Sequence, residues 1–413
     1  MCKKFNLIKN VVIVFFLGIS SGLPITITAS VLRAFLFDYS INLSTIGILG
    51  LVATPYTFKF LWAPFIDNWK VPFFSDKLGN KKVWIFISQI ILIITISLLG
   101  QFNPNRDLFI IAIICFFIAF ASATQDIAID AYRIHLLKKE EQGMGASSTI
   151  YGYRIGMIIS GIGGLYLAEI FGWSLSFIIV SLALIPAMLI TAIATNIDTN
   201  KDEDRERKPL NFREYFINPL KAFVNIDRWY LILLLLIFYK LSDAYLGAMT
   251  MPFIMSVGYT KIEIANAVKS FGMIATLVGT GVGGFLVLKL KTKINLLFSE
   301  ILSMLSNLPF LLLNIFPKDL YLLSAVNGFE NFTSSIANIA MVAYMSNISK
   351  NKYVATTYAI LTSITVFGRT ILSSTSGLVV ESVGWDNFFV ISSLLSLPSL
   401  VCILVLFSKK RSV

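Results

Sequence analysis

Glu169-Ile170-Phe171-Gly172-Trp173-Ser174-Leu175-Ser176-Phe177 returns 212 positions later as Glu381-Ser382-Val383-Gly384-Trp385-Asp386-Asn387-Phe388-Phe389. The pattern Glu-x-x-Gly-Trp-x-x-x-Phe therefore occurs twice, and the match runs on without a gap. Phe120, Ser122, Ile127, Ala128, Ala131 and Tyr132 recur as Phe332, Ser334, Ile339, Ala340, Ala343 and Tyr344, while Gly156 and Pro186 recur as Gly368 and Pro398. Self-similarity at one fixed spacing marks a duplicated structural unit. The sequence around the repeats is apolar. Residues 170–197 form a run of 28 without one Asp, Glu, Lys or Arg, and residues 270–288 a run of 19. A membrane-crossing helix needs about 20 apolar residues, so the duplicated unit is a set of transmembrane helices.

The whole chain agrees. Of its 413 residues, 56% are hydrophobic and only 14% charged, with a mean hydropathy of +0.78. Soluble domains carry about 25% charged residues, so a soluble enzyme of ordinary composition and a disordered chain are both excluded. Hydropathy and breaker residues give twelve spans, at 10–36, 44–66, 83–100, 108–132, 145–171, 173–195, 229–256, 262–288, 293–315, 319–346, 353–380 and 385–408. The first follows Lys3, Lys4 and Lys9 like a signal peptide but is too long for one, and is expected to be a retained helix. Alternating the connections puts 25 Lys and Arg on the side of the N-terminus and only Arg106, Lys261 and Lys318 on the other. That side is expected to be the cytoplasm, with both termini in it. The net charge of +11 is then a matter of topology. Because it is spread over seven separate segments, it does not point to nucleic acid.

The expected fold class is an all-α membrane protein of 12 transmembrane helices in two pseudo-symmetric six-helix bundles. The bundles are 1–195 and 229–413, joined by a cytoplasmic linker, 196–228. Two parallel six-helix halves that rock about a midplane site are a transporter layout. In the linker, 201–208 (KDEDRERK) is a solvated charge run, and 211–223 is expected to form an amphipathic surface helix. Cys2, Cys115 and Cys402 read as packing residues rather than a disulfide framework. A lone His135 gives metal or histidine chemistry almost nothing to use.

The informative residues are charges inside spans: Arg33, Lys59, Arg154, Lys240, Lys269 and Arg369 against Asp126, Asp130, Asp243, Glu300 and Glu330. Each costs roughly 2.5–3.5 kcal/mol at a helix centre on insertion scales, so they must line water, pair, or both. At about 1.5 Å per residue, Asp126 sits ~9 Å and Asp130 ~15 Å to the cytoplasmic side of the middle. Lys59, Arg154, Lys240, Asp243, Glu330 and Arg369 all fall within ~6 Å of it. Two readings stay open. In one, the cations hold an anionic substrate and Asp126 carries a proton. In the other these are packing ion pairs, Asp126 with Arg154 or Lys240 with Asp243. Asp130, nearer water and Arg133, suits an ion pair or gate.

Several strings resemble one family. They are Ser20-Ser21-Gly22-Leu23-Pro24, Pro55-Tyr56-Thr57-Phe58-Lys59-Phe60-Leu61-Trp62-Ala63-Pro64, Ala123-Thr124-Gln125-Asp126-Ile127-Ala128-Ile129-Asp130-Ala131-Tyr132-Arg133, Gly152-Tyr153-Arg154-Ile155-Gly156-Met157 and Tyr239-Lys240-Leu241-Ser242-Asp243-Ala244. They look like the AmpG-type muropeptide permeases of the major facilitator superfamily. The connection after span two, with Asp67 and then Asp76-Lys77-Leu78-Gly79-Asn80-Lys81-Lys82, resembles in stretched form that superfamily's signature loop. The resemblance implies the major facilitator fold and a bacterial inner-membrane importer. Its cargo would be anhydro-muropeptides, carried from periplasm to cytoplasm with protons, with the proton gradient as energy source, no cofactor and no metal. It places proton coupling at Asp126 and Asp130, and a cytoplasmic gate at Asp67 and Arg133. Cargo binding is expected from Lys59, Gln125, Arg154, Lys240, Asp243, Glu330 and Arg369, with Tyr56, Tyr153 and Tyr239 as amphipathic rings for sugar faces. The expected partners are the small-molecule substrate, protons and the bilayer, for a monomer. Carriage of another cargo (acyl-CoA, sugar or peptide) is the alternative. A membrane-embedded enzyme or sensor fits less well, because the outer connections are short and hold no catalytic cluster.

Overall fold

The computed structural model describes residues 2–68, 79–137, 142–194, 223–348 and 354–408. Among them every regular element is helical. All twelve expected spans fall on residues that are helical over most of their length. Eight stretches are long and apolar enough to cross a membrane. One of these, Ser148–Ile193, has 46 residues and holds spans five and six together. The chain reverses inside it at Gly172, whose φ of +80° and ψ of 168° are open to glycine alone. Ser176 Oγ donates to the Gly164 carbonyl at 2.6 Å; in a continuous helix twelve residues would separate them by about 18 Å. Gly384, with φ +78° and ψ 173°, repeats the backbone conformation between spans eleven and twelve. The duplicated Gly-Trp pair is thus a hairpin device.

Span two is broken rather than straight. The ring nitrogens of Pro55 and Pro64 have no hydrogen to give to the carbonyls four residues back. A 3-10 turn precedes each, Gly50–Ala53 and Lys59–Leu61. Span seven is also interrupted, which its sequence did not lead us to expect. It runs as Trp229–Phe238 and Leu241–Ser256, with Lys240 in the left-handed region at φ +61°. No Gly or Pro stands at the break. Instead the side chains pin it, since Tyr239 Oη donates to the Ala337 carbonyl at 3.2 Å and Lys240 Nζ to Ser334.

Contacts divide the chain into two compact units, Met1–Ile41 with Val52–Pro209, and Asn42–Leu51 with Leu210–Val413. In the first, spans one and five meet through glycines on both sides. A Cβ on Gly22 would stand 2.0 Å from the Tyr153 carbonyl oxygen, and one on Gly152 2.0 Å from that of Phe15. Ile13, Leu17, Ile85, Ala128, Ile129 and Tyr132 pack as a core beside this seam. In the second unit, span eight lies against span ten in the same way, with Gly279 facing the Phe332 backbone. Its apolar core includes Leu235, Leu236, Leu296, Met341, Leu361 and Ile403. The short helix Leu43–Leu49 belongs to this unit. Gly377 abuts the Leu43 backbone, and the Glu381 carboxylate accepts from the Ser44 amide at 3.0 Å and from its hydroxyl.

Candidate functional site

The first unit gathers its intramembrane charges around Asp126. The 33-residue helix Pro104–Leu136 carries it. Ser21 of span one donates its hydroxyl to the carboxylate. Lys59, set on the 3-10 turn before Pro64, supplies the opposing charge. Tyr56, from the turn before, and Tyr153 of span five both feel the carboxylate, and Arg154 stands next in the chain. Spans two, four and five therefore deliver one acid, two cations and two phenols, and span one the hydroxyl that bonds the acid. Among the described residues neither Lys59 nor Arg154 is in an ion pair, so the packing pair of Asp126 with Arg154 is not formed.

Gln125 faces elsewhere. It is fully buried, its Oε1 accepting from Ser20 Oγ at 3.0 Å, and Gln89 Nε2 donates to the same hydroxyl at 3.2 Å. Adjacent serines of span one thus hold adjacent residues of span four, Ser20 on Gln125 and Ser21 on Asp126. Asp130 is exposed and lies 3.4 Å from Arg133, one turn along. The Asp67 side chain, the Lys269 side chain, 76–78 of the loop after span two and 211–222 of the linker lie outside the described residues.

The second unit presents a closed arrangement. Lys240 Nζ is 3.3 Å from Asp243 Oδ2 and donates at 2.8 Å to both the carbonyl and the hydroxyl of Ser334. Ser303 donates to the other Asp243 oxygen. The packing pair of Lys240 with Asp243 is therefore present. Glu330 and Arg369 both lie within electrostatic reach of Asp243, and Arg369 Nε is buried without a hydrogen-bond partner. Tyr239 is fully buried with its hydroxyl on the Ala337 carbonyl, which leaves its ring no free face.

The structure brings Tyr56, Lys59, Asp126 and Tyr153 together in one unit, with Arg154 beside Tyr153, and Lys240, Asp243, Glu330 and Arg369 in the other. Sequence reasoning gave no role to the hydroxyls that fix these groups, Ser21, Ser303 and Ser334. Their signal is a serine in an apolar span, one among many. Chemically, the first cluster is short of negative charge and suits an anion with polar and apolar faces. The second has spent Lys240 internally.

The chain matches the model of the Major Facilitator Superfamily over residues 14–329 and 272–413. It is 36% identical over 409 residues to the putative transporter AmpG 4 of Rickettsia felis, covering 97% of each chain. It is 35% identical over 395 residues to the anhydromuropeptide permease of Escherichia coli K12, covering 95% of this chain and 79% of that one. Among solved structures, the nucleoside transporter NupG superposes with a TM-score of 0.71 at 15% identity, over 98% of this chain and 100% of that one. A bacterial homologue of the human lysosomal transporter Spinster, inward-facing and unoccupied, superposes at 0.69 and 13% identity, over 97% and 96%. At such identities the structural likeness speaks for the fold.

Proposed function

The chain belongs to the Major Facilitator Superfamily and, within it, to the AmpG-type muropeptide permeases, and from this premise we propose that it imports anhydro-muropeptides with protons. It is a multi-pass membrane transporter with the major facilitator fold, and not an enzyme. The cargo moves from periplasm to cytoplasm across the bacterial inner membrane, with both termini cytoplasmic, residues 1–195 and 229–413 as the two bundles, and a monomer as the working unit.

The observation that carries this reading is the cluster around Asp126, where Lys59 and Arg154 have no ion-pair partner among the described residues. A charge in the membrane is retained where it faces water, a partner or a substrate. Muropeptides bring peptide carboxylates for these cations and sugar faces for Tyr56 and Tyr153. With Asp126 ionised, its charge competes with the cargo for Lys59. Protonation removes that competition, so proton and anion load together, and the halves then rock to release both inside. Asp130 with Arg133, and Asp67, act in the cytoplasmic gate.

The test is uptake of labelled anhydro-muropeptide into vesicles with and without a pH gradient. Wild type accumulates the label only with the gradient. Asp126→Asn inserts and folds but does not accumulate, and Arg154→Ala loses peptide-bearing cargo more than the peptide-free disaccharide. Accumulation by Asp126→Asn at the wild-type level refutes the role of Asp126. Preference for an acyl-CoA or a simple sugar in competition refutes the cargo.

A further inference from the structure

Glu300 is an intramembrane acid to which neither the uptake scheme nor the ion pair of the second unit gives a task. It lies on span nine with 0% of its surface exposed. Ser399 Oγ of span twelve donates to Oε1 at 2.7 Å, and Oε2 has no hydrogen-bond partner. Among the described residues no Lys or Arg is within ion-pair distance of it.

The groups that face it offer no counter-charge. From span seven come Asp243, of the same sign, the Tyr239 phenol, and Lys240 through its backbone N–H. The Lys240 ammonium itself is held by Asp243 and Ser334. Span twelve brings Ser396 and Ser399, and no charged group of span ten acts on it. On span nine, Ser303 is turned to Asp243. An ionised carboxylate here would be stripped of water beside a second carboxylate, with the Ser399 and Ser396 hydroxyls and one backbone N–H facing it but no cation. A neutral carboxyl leaves only an unpaired polar O–H, a far smaller penalty than an isolated buried charge.

We infer that Glu300 is a proton-binding site of the second unit, loaded in this conformation, whose proton exchanges during the transport cycle. Its carbonyl oxygen accepts from Ser399. When the proton leaves for water, the new carboxylate stands beside Asp243, the acid whose ion pair with Lys240 anchors the break of span seven to Ser334 of span ten. Proton loss at Glu300 is in this way coupled to the one interruption of span seven. The part played in uptake rests on the proton-driven reading above; the protonation does not.

The experiment reads the infrared carbonyl stretch of protonated carboxyl groups in the purified protein, in H2O and D2O, alongside uptake. Wild type shows a band, downshifted in D2O, that Glu300→Gln removes and Ser399→Ala displaces. Glu300→Gln keeps cargo exchange between equilibrated compartments and loses accumulation driven by a pH gradient. A protonated-carboxyl spectrum unchanged by either substitution overturns the inference, as does gradient-driven accumulation by Glu300→Gln equal to wild type. If Glu300→Gln does not assemble, the Ser399→Ala shift decides. Failure of the cargo assignment is distinguishable, because then wild type itself takes up no muropeptide while the spectra behave as stated.

Discussion

Gly22→Ala tests the seam that holds the Asp126 cluster together. The added Cβ would lie 2.0 Å from the Tyr153 carbonyl oxygen, 2.7 Å from its carbonyl carbon and 2.8 Å from its Cα. Carbon and oxygen approach no closer than about 3.3 Å even in favourable contacts, so spans one and five must separate by ~1.3 Å. The obstacle is backbone, which has no rotamer to change. Overpacking of this kind costs about 1–3 kcal/mol, occasionally more. The displacement also has a functional direction. Gly22 follows Ser21, which bonds Asp126, and Tyr153 precedes Arg154. Moving these spans apart spreads the acid and the cation together with the helices. Gly281 is the internal control, a helical glycine with nothing within 4 Å of an added Cβ. There alanine restricts the unfolded chain without a clash and is worth roughly 0.4–1 kcal/mol of stability. The two substitutions therefore differ in sign. Thermal unfolding of the purified protein in detergent should show a lower midpoint for Gly22→Ala and an equal or higher one for Gly281→Ala, with uptake reduced only in the first. A Gly22→Ala protein that melts with the Gly281→Ala control and transports like wild type would refute the close approach of spans one and five.

Gly172→Ala and Gly384→Ala meet no atom within 4 Å, so any loss is a backbone effect of about 1–3 kcal/mol each. Unchanged melting in both would place the chain reversals elsewhere. For the buried pair, Lys240→Ala or Asp243→Asn alone leaves a buried charge or donor unmatched and should cost about 3–5 kcal/mol. The double variant should cost clearly less than the two singles added, and strict additivity in this cycle would show that the pair is not formed.

The layout of the molecule is legible in its sequence because it follows from solvent. Lipid demands long apolar helices with every backbone group satisfied, and charge bias marks the connections. The duplicated Glu-x-x-Gly-Trp-x-x-x-Phe reads further than a hydropathy profile does. It predicts that one structural event occurs twice, and the near-identical backbone angles of Gly172 and Gly384 are that event. The charged residues are legible as a set for the same reason, since each is too costly to be accidental. Which of them pair is not legible. Lys240 with Asp243 and Asp126 with Arg154 were both open on spacing and depth; only the first is joined. The difference lies in small neutral residues. Ser334 and Ser303 close the second cluster around its own ion pair, whereas in the first Ser21 takes the carboxylate and leaves Arg154 unpaired. A serine in an apolar span has no periodicity and little hydropathy signal, and its meaning depends on which atom of a distant span it faces. The break at Lys240 is hidden for a related reason: it follows from tertiary anchors on span ten, Ala337 and Ser334, and not from a local breaker. Sequence can therefore locate where this carrier keeps its charge, but the hydroxyls that decide whether a charge is held or offered become visible only when the spans are set side by side.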